Sequence, residues 1–323
     1  MYRFLVSILL IFMFATGRGQ QMPLYSQYMM NGYLINPAIA GSDGYTSFNL
    51  TARQQWLGFQ NAPQTRSFSG QTRLLRRSYV IKETSVNNRR LKPSTKGRVG
   101  LGGFFYYDRN GAVERLGING SYAYHIFIKD LQLSFGLSGG LYQYKLHDED
   151  LFFLDPEDPM IPNINKVIYI PDVNAGFYML NYRYFLGFSI NQLFQSYLKF
   201  GPRTLSEYKL LRHYYIMGGY SFPVGDDYEL EPSMLIKGTE KLTVQADLTA
   251  KLTYKQDYWF GATYRTSGAL IAMAGVRFNQ LYLGYSFDYT LSSIRKYSWG
   301  SHEIVIALKF GDSARRYRWL NRY

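Results

Sequence analysis

The sequence predicts an all-β protein, an antiparallel up-and-down transmembrane β-barrel of the outer-membrane type with about fourteen strands. Three observations carry this. The 323-residue chain opens on a short apolar export signal and has no later apolar run of membrane-helix length. It is rich in Tyr (31), Phe (22) and Gly (30), the compositional outline of a barrel. Segment after segment also alternates apolar with polar residues over about ten positions, whereas strands of soluble sandwiches average nearer five or six.

The elements follow in chain order. Residues 1–19 read as a secretory signal: Arg3 supplies the positive start, Phe4 to Ala15 the apolar core, and Gly17 and Gly19 the small residues before a cut after Gly19. Residues 20–43 precede the barrel. Their stretch PLYSQYMMNGYLINPAIAG is uncharged and fits neither helix nor strand, with Pro37 and Gly41 breaking any long element. Such a segment is expected either to fold into the barrel mouth, with Tyr28 and Asn36 bonding to lumen polar groups as a plug or brace, or to remain a leader.

The barrel is placed at 44–310, with strands near 44–56, 65–73, 98–108, 113–128, 131–145, 171–180, 184–191, 212–223, 228–237, 243–254, 258–266, 269–278, 280–289 and 300–310. In LYLGYSFDYT, Leu281, Leu283, Tyr285, Phe287 and Tyr289 share one face, and in HEIVIALKF the apolar face is Ile304, Ile306, Leu308 and Phe310. The opposite face, assigned to the lumen, carries Glu303, Lys309, Asp288, Arg277, Arg265, Lys251 and Asp247. An even strand number puts both strand-closing ends, and by this count both termini, on the periplasmic side. The turns there are mostly tight, while 146–170, 192–211 and 290–299 are long outer loops.

Positive charge is concentrated. The net charge is +13, and 74–98 alone holds eight basic residues against Glu83. A long basic connection at 74–97, with Arg76, Arg77, Arg89, Arg90, Lys92 and Lys96, and a basic tail at 311–323 both fall on the periplasmic side. Each reads either as a solvated segment or as a docking surface for an acidic partner or the cell wall. Nucleic acid is a poor partner for an exported chain.

Enzyme chemistry finds little footing. There is no Cys, and the four His (125, 147, 213 and 302) are scattered without metal-ligand spacing. LDPEDP at 154–159 groups carboxylates without the spacing of a Ca²⁺ loop, and no phosphate loop occurs. No catalytic residue, metal or cofactor is assigned.

Two stretches, YSQYMMNGYLINPAIAG and RQQWLGFQNAPQTRSFSG, with GSHEIVIALKF at the end, closely resemble the signature of the PorP/SprF family of type IX secretion. Matching positions include Tyr28, Asn36, Pro37, Arg53, Trp56, Gly58, Phe59 and Pro63. The resemblance implies an outer-membrane barrel of Bacteroidetes-type bacteria that assists secretion and surface attachment of cargo, including adhesins used in gliding. It implies as partners the periplasmic ring proteins of that system and the C-terminal signal domain of a cargo, besides outer-membrane lipids. Candidate partner-binding residues are these matched positions together with the basic residues of 74–97. A porin or solute channel is the alternative.

Overall fold

The computed structural model describes residues 23–74, 98–128, 130–147, 167–195, 210–241 and 243–310. The expected export signal, most of the basic connection, the LDPEDP loop and the basic tail lie outside the described residues.

Fourteen antiparallel strands form one closed ring, as the alternation predicts. They are β1 (Thr46–Gln54), β2 (Gln64–Leu74), β3 (Val99–Asn110), β4 (Val113–Ile128), β5 (Leu131–Leu146), β6 (Val167–Leu180) and β7 (Tyr184–Asn191). After these come β8 (His213–Tyr220, resuming beyond Ser221 as Phe222–Val224), β9 (Tyr228–Thr239), β10 (Val244–Tyr254), β11 (Tyr258–Arg265), β12 (Ala269–Phe278), β13 (Leu281–Thr290) and β14 (Ser301–Phe310). Each strand pairs with its sequence neighbours, and β1 pairs with β14 from Thr46–Phe310 to Gln54–His302, which closes the ring. Closure leaves no strand edge unpaired in a solvent that offers no hydrogen bonds.

The interruption in β8 has a local cause. Gly219 faces Ser233 and Phe222 faces Leu230, so the register runs through without a slip. Pro232 falls opposite the break, and its missing N–H removes a rung.

Facing follows the alternation. Along β14, Ser301, Glu303, Val305, Ala307 and Lys309 are buried inside, while Ile304, Ile306, Leu308 and Phe310 are exposed outside. Along β10, Asp247, Thr249 and Lys251 point in and Leu248 and Leu252 point out. Some outward Tyr and Phe pair near the strand ends. Tyr220 and Phe222 lie 4.5 Å apart, and Tyr228 and Tyr254 4.9 Å apart, consistent with an interfacial aromatic girdle.

The two rims differ. One carries the ends of β1 and β14 and the tight turns at 225–227, 255–257 and 279–280; it is called the terminal rim here. The loop rim carries the longer connections, including 55–63 and 291–300.

An outward charge near the bilayer midplane costs about 2–4 kcal/mol. Ile306→Arg, at mid-strand on the outer face, is expected to deplete the folded, heat-modifiable form. Arg277→Leu, on the inner face near the terminal rim, is expected to leave it near normal. Gel-shift assay of both variants in outer membranes reads the difference, and equal loss would refute the facing.

Candidate functional site

Among the described residues, the chain from Ser26 to Asp43, ahead of β1, lies inside the barrel. From Ser26 to Asp43 nearly every side chain is buried, and this strap packs along the lumen wall. Two short 3₁₀ turns, Gly32–Leu34 and Pro37–Ile39, give it a compact backbone. Asn36 starts the second turn: its Oδ1 accepts from Ala38 N (2.9 Å), and Pro37 takes the first helical position, where no N–H is needed. The Asn36 amide also donates to the Phe177 and Phe188 carbonyls at 2.9 and 3.3 Å, joining the turn to β6 and β7.

The wall is shaped to receive it. A Cβ on Gly136 would overlap the Pro37–Ala38 peptide, and one on Gly176 would overlap the Asn36 side chain. Glycine at these inward positions lets the strap's backbone approach the sheet. Lumen-facing Leu180, Phe185, Met217, Leu235, Ile271 and Met273 form one apolar cluster with Tyr28, Met29, Ile35 and Ala38 of the strap. Polar contacts run along the rest. Tyr28 Oη lies 3.1 Å from Ser233 Oγ, Asn31 Nδ2 donates to Ser69 Oγ (3.1 Å), and Tyr33 Oη donates to Ser121 Oγ (2.9 Å).

A charged clamp holds the strap near the loop rim. The backbone N–H groups of Ser26 and Gln27 donate to the two carboxylate oxygens of Glu303, at 2.7 and 2.8 Å. Ser26 Oγ donates to Asp288 Oδ2 (2.8 Å) and accepts from Arg53 Nη1 (2.6 Å). Arg53 pairs with Asp288 at 2.7 Å and Glu303 at 3.3 Å. Arg265 continues the chain of charges, 3.4 Å from Asp288 and bidentate to Asp247 at 3.0 Å for each bond. Lys237 lies 3.9 Å from Asp247. Three carboxylates thus meet three cations, so the buried set is neutral.

A second anchor sits near the terminal rim. Arg73 donates to the carbonyls of Gly41 (2.8 Å) and Ser42 (2.6 Å), and Gln132 also donates to Ser42 O (3.2 Å). His125 lies 3.1 Å from the Ala40 carbonyl, and Lys309 lies 3.8 Å from Asp43. Gly41 adopts φ +66°, which favours glycine. Between strap and wall a cavity of about 40 Å³ remains, room for little more than ordered water.

The positions singled out from sequence separate into three places. Tyr28, Asn36, Pro37 and Arg53 are buried in the lumen and hold the strap. Trp56, Gly58, Phe59 and Pro63 belong to the β1–β2 turn at the loop rim; Gly58 and Phe59 are exposed, Trp56 is half-buried and Pro63 is buried. Arg76, Arg77, Arg89, Arg90, Lys92 and Lys96 lie outside the described residues. The β1–β2 turn is fixed to the 291–300 loop by Leu57 N to Gly300 O and Trp299 N to Leu57 O, both 2.8 Å. Beside that join, Trp299 is 79% and Tyr297 74% exposed, making an aromatic ledge with Leu57 and Phe59. Sequence reasoning missed the cooperation of Ser26, Asp288 and Glu303 with Arg53. A signal was available: inward Ile271 and Met273 are apolar on a face that water would otherwise wet, which calls for an internal occupant.

The arrangement binds a peptide segment of its own chain. Among the described residues no group of three or more His, Asp and Glu is placed to hold a metal.

Removing one member of a buried ion pair typically costs about 3–5 kcal/mol. Arg53→Met is expected to destabilise the barrel on that scale in denaturant titrations in detergent. Adding Glu303→Gln to Arg53→Met is expected to recover part of the loss; strict additivity would dissolve the clamp as a coupled unit.

Comparison with known proteins gives one family. The sequence model described as type IX secretion system membrane protein PorP/SprF matches residues 17–308. No curated protein matches. Among solved structures, the toluene transporter TbuX of Ralstonia pickettii aligns with TM-score 0.49 and 11% identity over 91% of this chain and 95% of that one. The outer membrane protein Omp33 of Acinetobacter baumannii aligns with TM-score 0.41 and 10% identity, covering 83% and 99%.

Proposed function

We propose, for a chain that belongs to the PorP/SprF family of type IX secretion system membrane proteins, the role of a non-enzymatic outer-membrane anchor that assists secretion and surface attachment of cargo. The observation that carries this reading is the occupied lumen. The strap is bound at both rims and along its length by hydrogen bonds, ion pairs and an apolar cluster. A diffusion pore needs a wetted, open cross-section; this barrel spends its inner face on holding its own chain.

In this reading the loop rim faces outward and the terminal rim faces the periplasm. The aromatic ledge of Leu57, Phe59, Tyr297 and Trp299 is the surface on offer to the C-terminal signal domain of a cargo such as an adhesin, the kind used in gliding. Apolar exposure of this kind is common where partners bind. The basic 74–97 connection and the 311–323 tail are the surfaces on offer to the periplasmic ring proteins. Outer-membrane lipids contact the outer apolar faces.

Affinity isolation from outer membranes, with identification of the co-purifying proteins, tests the assignment directly. Recovery of type IX components and cargo supports it, and their consistent absence at normal barrel abundance counts against it. Neutralising Arg76, Arg77, Arg89, Arg90, Lys92 and Lys96 together is expected to leave the barrel inserted while lowering recovery of periplasmic partners and cargo display. Binding through these charges is expected to weaken as salt rises, because exposed charges act over about 8 Å at physiological ionic strength. In planar bilayers the purified barrel is expected to show no steady ion current; a stable conductance of porin type would overturn the anchor reading.

A further inference from the structure

We infer that the mature chain threads its own barrel, so that its amino-terminal arm is delivered at the loop rim, on the opposite side of the membrane from the carboxyl-terminal end of β14. Counting strands alone puts both ends on one side. The strap alters that count, because it crosses the lumen before β1 begins.

The direction is fixed by its contacts. Ser26 is held by Arg53, Asp288 and Glu303, which lie close to the loop-rim ends of β1, β13 and β14. Asn31 and Tyr33 bond Ser69 and Ser121, near the middle of β2 and β4. Ala40, Gly41 and Ser42 are held by His125, Arg73 and Gln132, and Asp43 by Lys309, all close to the terminal rim. The contacts descend in order, and β1 then starts upward at Thr46. Length permits this. Lys309 lies six residue steps along β14 from Glu303, roughly 20 Å of strand at 3.3 Å per residue. The chain from Ser26 to Asp43 has ample reach for that height, even with two 3₁₀ turns taking up slack.

Pro23, Leu24 and Tyr25, half-buried, precede the clamp, and the Tyr25 side chain turns into the lumen to bond Ser67 of β2. β2, which Tyr25 touches, carries the 55–63 connection at its loop-rim end. On this reading the arm is a cell-surface element at the loop rim, across the membrane from the end of β14. The word "surface" rests on the proposed orientation; the threading itself does not.

The absence of cysteine makes the test clean, since any introduced thiol is the sole one. Pro23→Cys, Ser267→Cys in the loop-rim turn and Gln280→Cys in the terminal-rim turn are made separately. Each is treated on intact cells with a membrane-impermeant maleimide. Labelling of Ser267→Cys without Gln280→Cys supports the orientation, and the reverse pattern overturns it. In either case threading requires Pro23→Cys to label together with Ser267→Cys. To guard against a covered thiol or a variant that fails to fold, an epitope is inserted between Met22 and Pro23 and compared with one after Tyr323. Opposite antibody accessibility of the two epitopes on intact cells supports threading. Equal accessibility of both, or co-labelling of Pro23→Cys with Gln280→Cys, overturns it.

Discussion

The ion pair of Arg53 with Glu303 and Asp288 is the interaction on which the rest depends. Arg53 and Glu303 are register partners across the seam where the first and last strands close the ring. Asp288 adds the neighbouring strand, and Ser26 adds the strap. One cluster therefore joins ring closure to lumen filling. Its charges are affordable in a buried place only because each carboxylate has both a cation and a hydrogen-bond donor. Glu303 receives two backbone N–H groups, and Asp288 receives a hydroxyl and two guanidinium groups.

From that cluster the interior organises itself. A barrel of fourteen strands is too wide for its own side chains to fill, and the strap supplies the missing material. Where it passes, the wall turns apolar on its inner face, at Leu180, Phe185, Met217 and Leu235, or loses side chains altogether, at Gly136 and Gly176. Where it does not pass, the inner wall pairs with itself: Lys251 with Glu231 at 3.2 Å, and Asn174 with Ser138 at 2.9 Å. Tyr106, Tyr142, Tyr144 and Ile170 close a second inner patch against Leu210, which lies just before β8.

Most of the ring was legible from residues alone, because a strand that faces lipid on one side and a polar interior on the other must alternate, and the two environments differ by kilocalories per residue. β10, β13 and β14 follow that rule almost without exception, and their bounds fall within a residue or two of expectation. β6 was the poorest match. It begins at Val167, ahead of the expected 171; Pro171, taken as its first residue, sits opposite Leu141 well within the paired region. The lumen charges were legible as a face; their pairing was not. Arg53 and Glu303 lie 250 residues apart, and no local pattern encodes such a register. The strap's place was harder still. Its residues show neither period, and only its tyrosines, asparagines and missing charges distinguish it from a leader. The same blindness explains why matched positions such as Asn36 and Trp56, alike as sequence signatures, turned out to serve different ends of the molecule.

The strap also bears on how the barrel can be assembled. Ser26 and Glu303 are separated by 277 residues, so the clamp has no partner until the last strand has been made and delivered. Contacts of such long range form late and slowly, since the intervening chain must first be organised. A ring that zipped shut first would leave the strap to find its way into a narrowed tunnel. A sheet that curls around a strap already lying on β2, β4 and β5 meets no such obstacle, and the final rungs between β1 and β14 then form alongside the clamp. On that order the amino-terminal segment would serve as a mandrel for its own barrel, with the clamp closing only once β14 is in place.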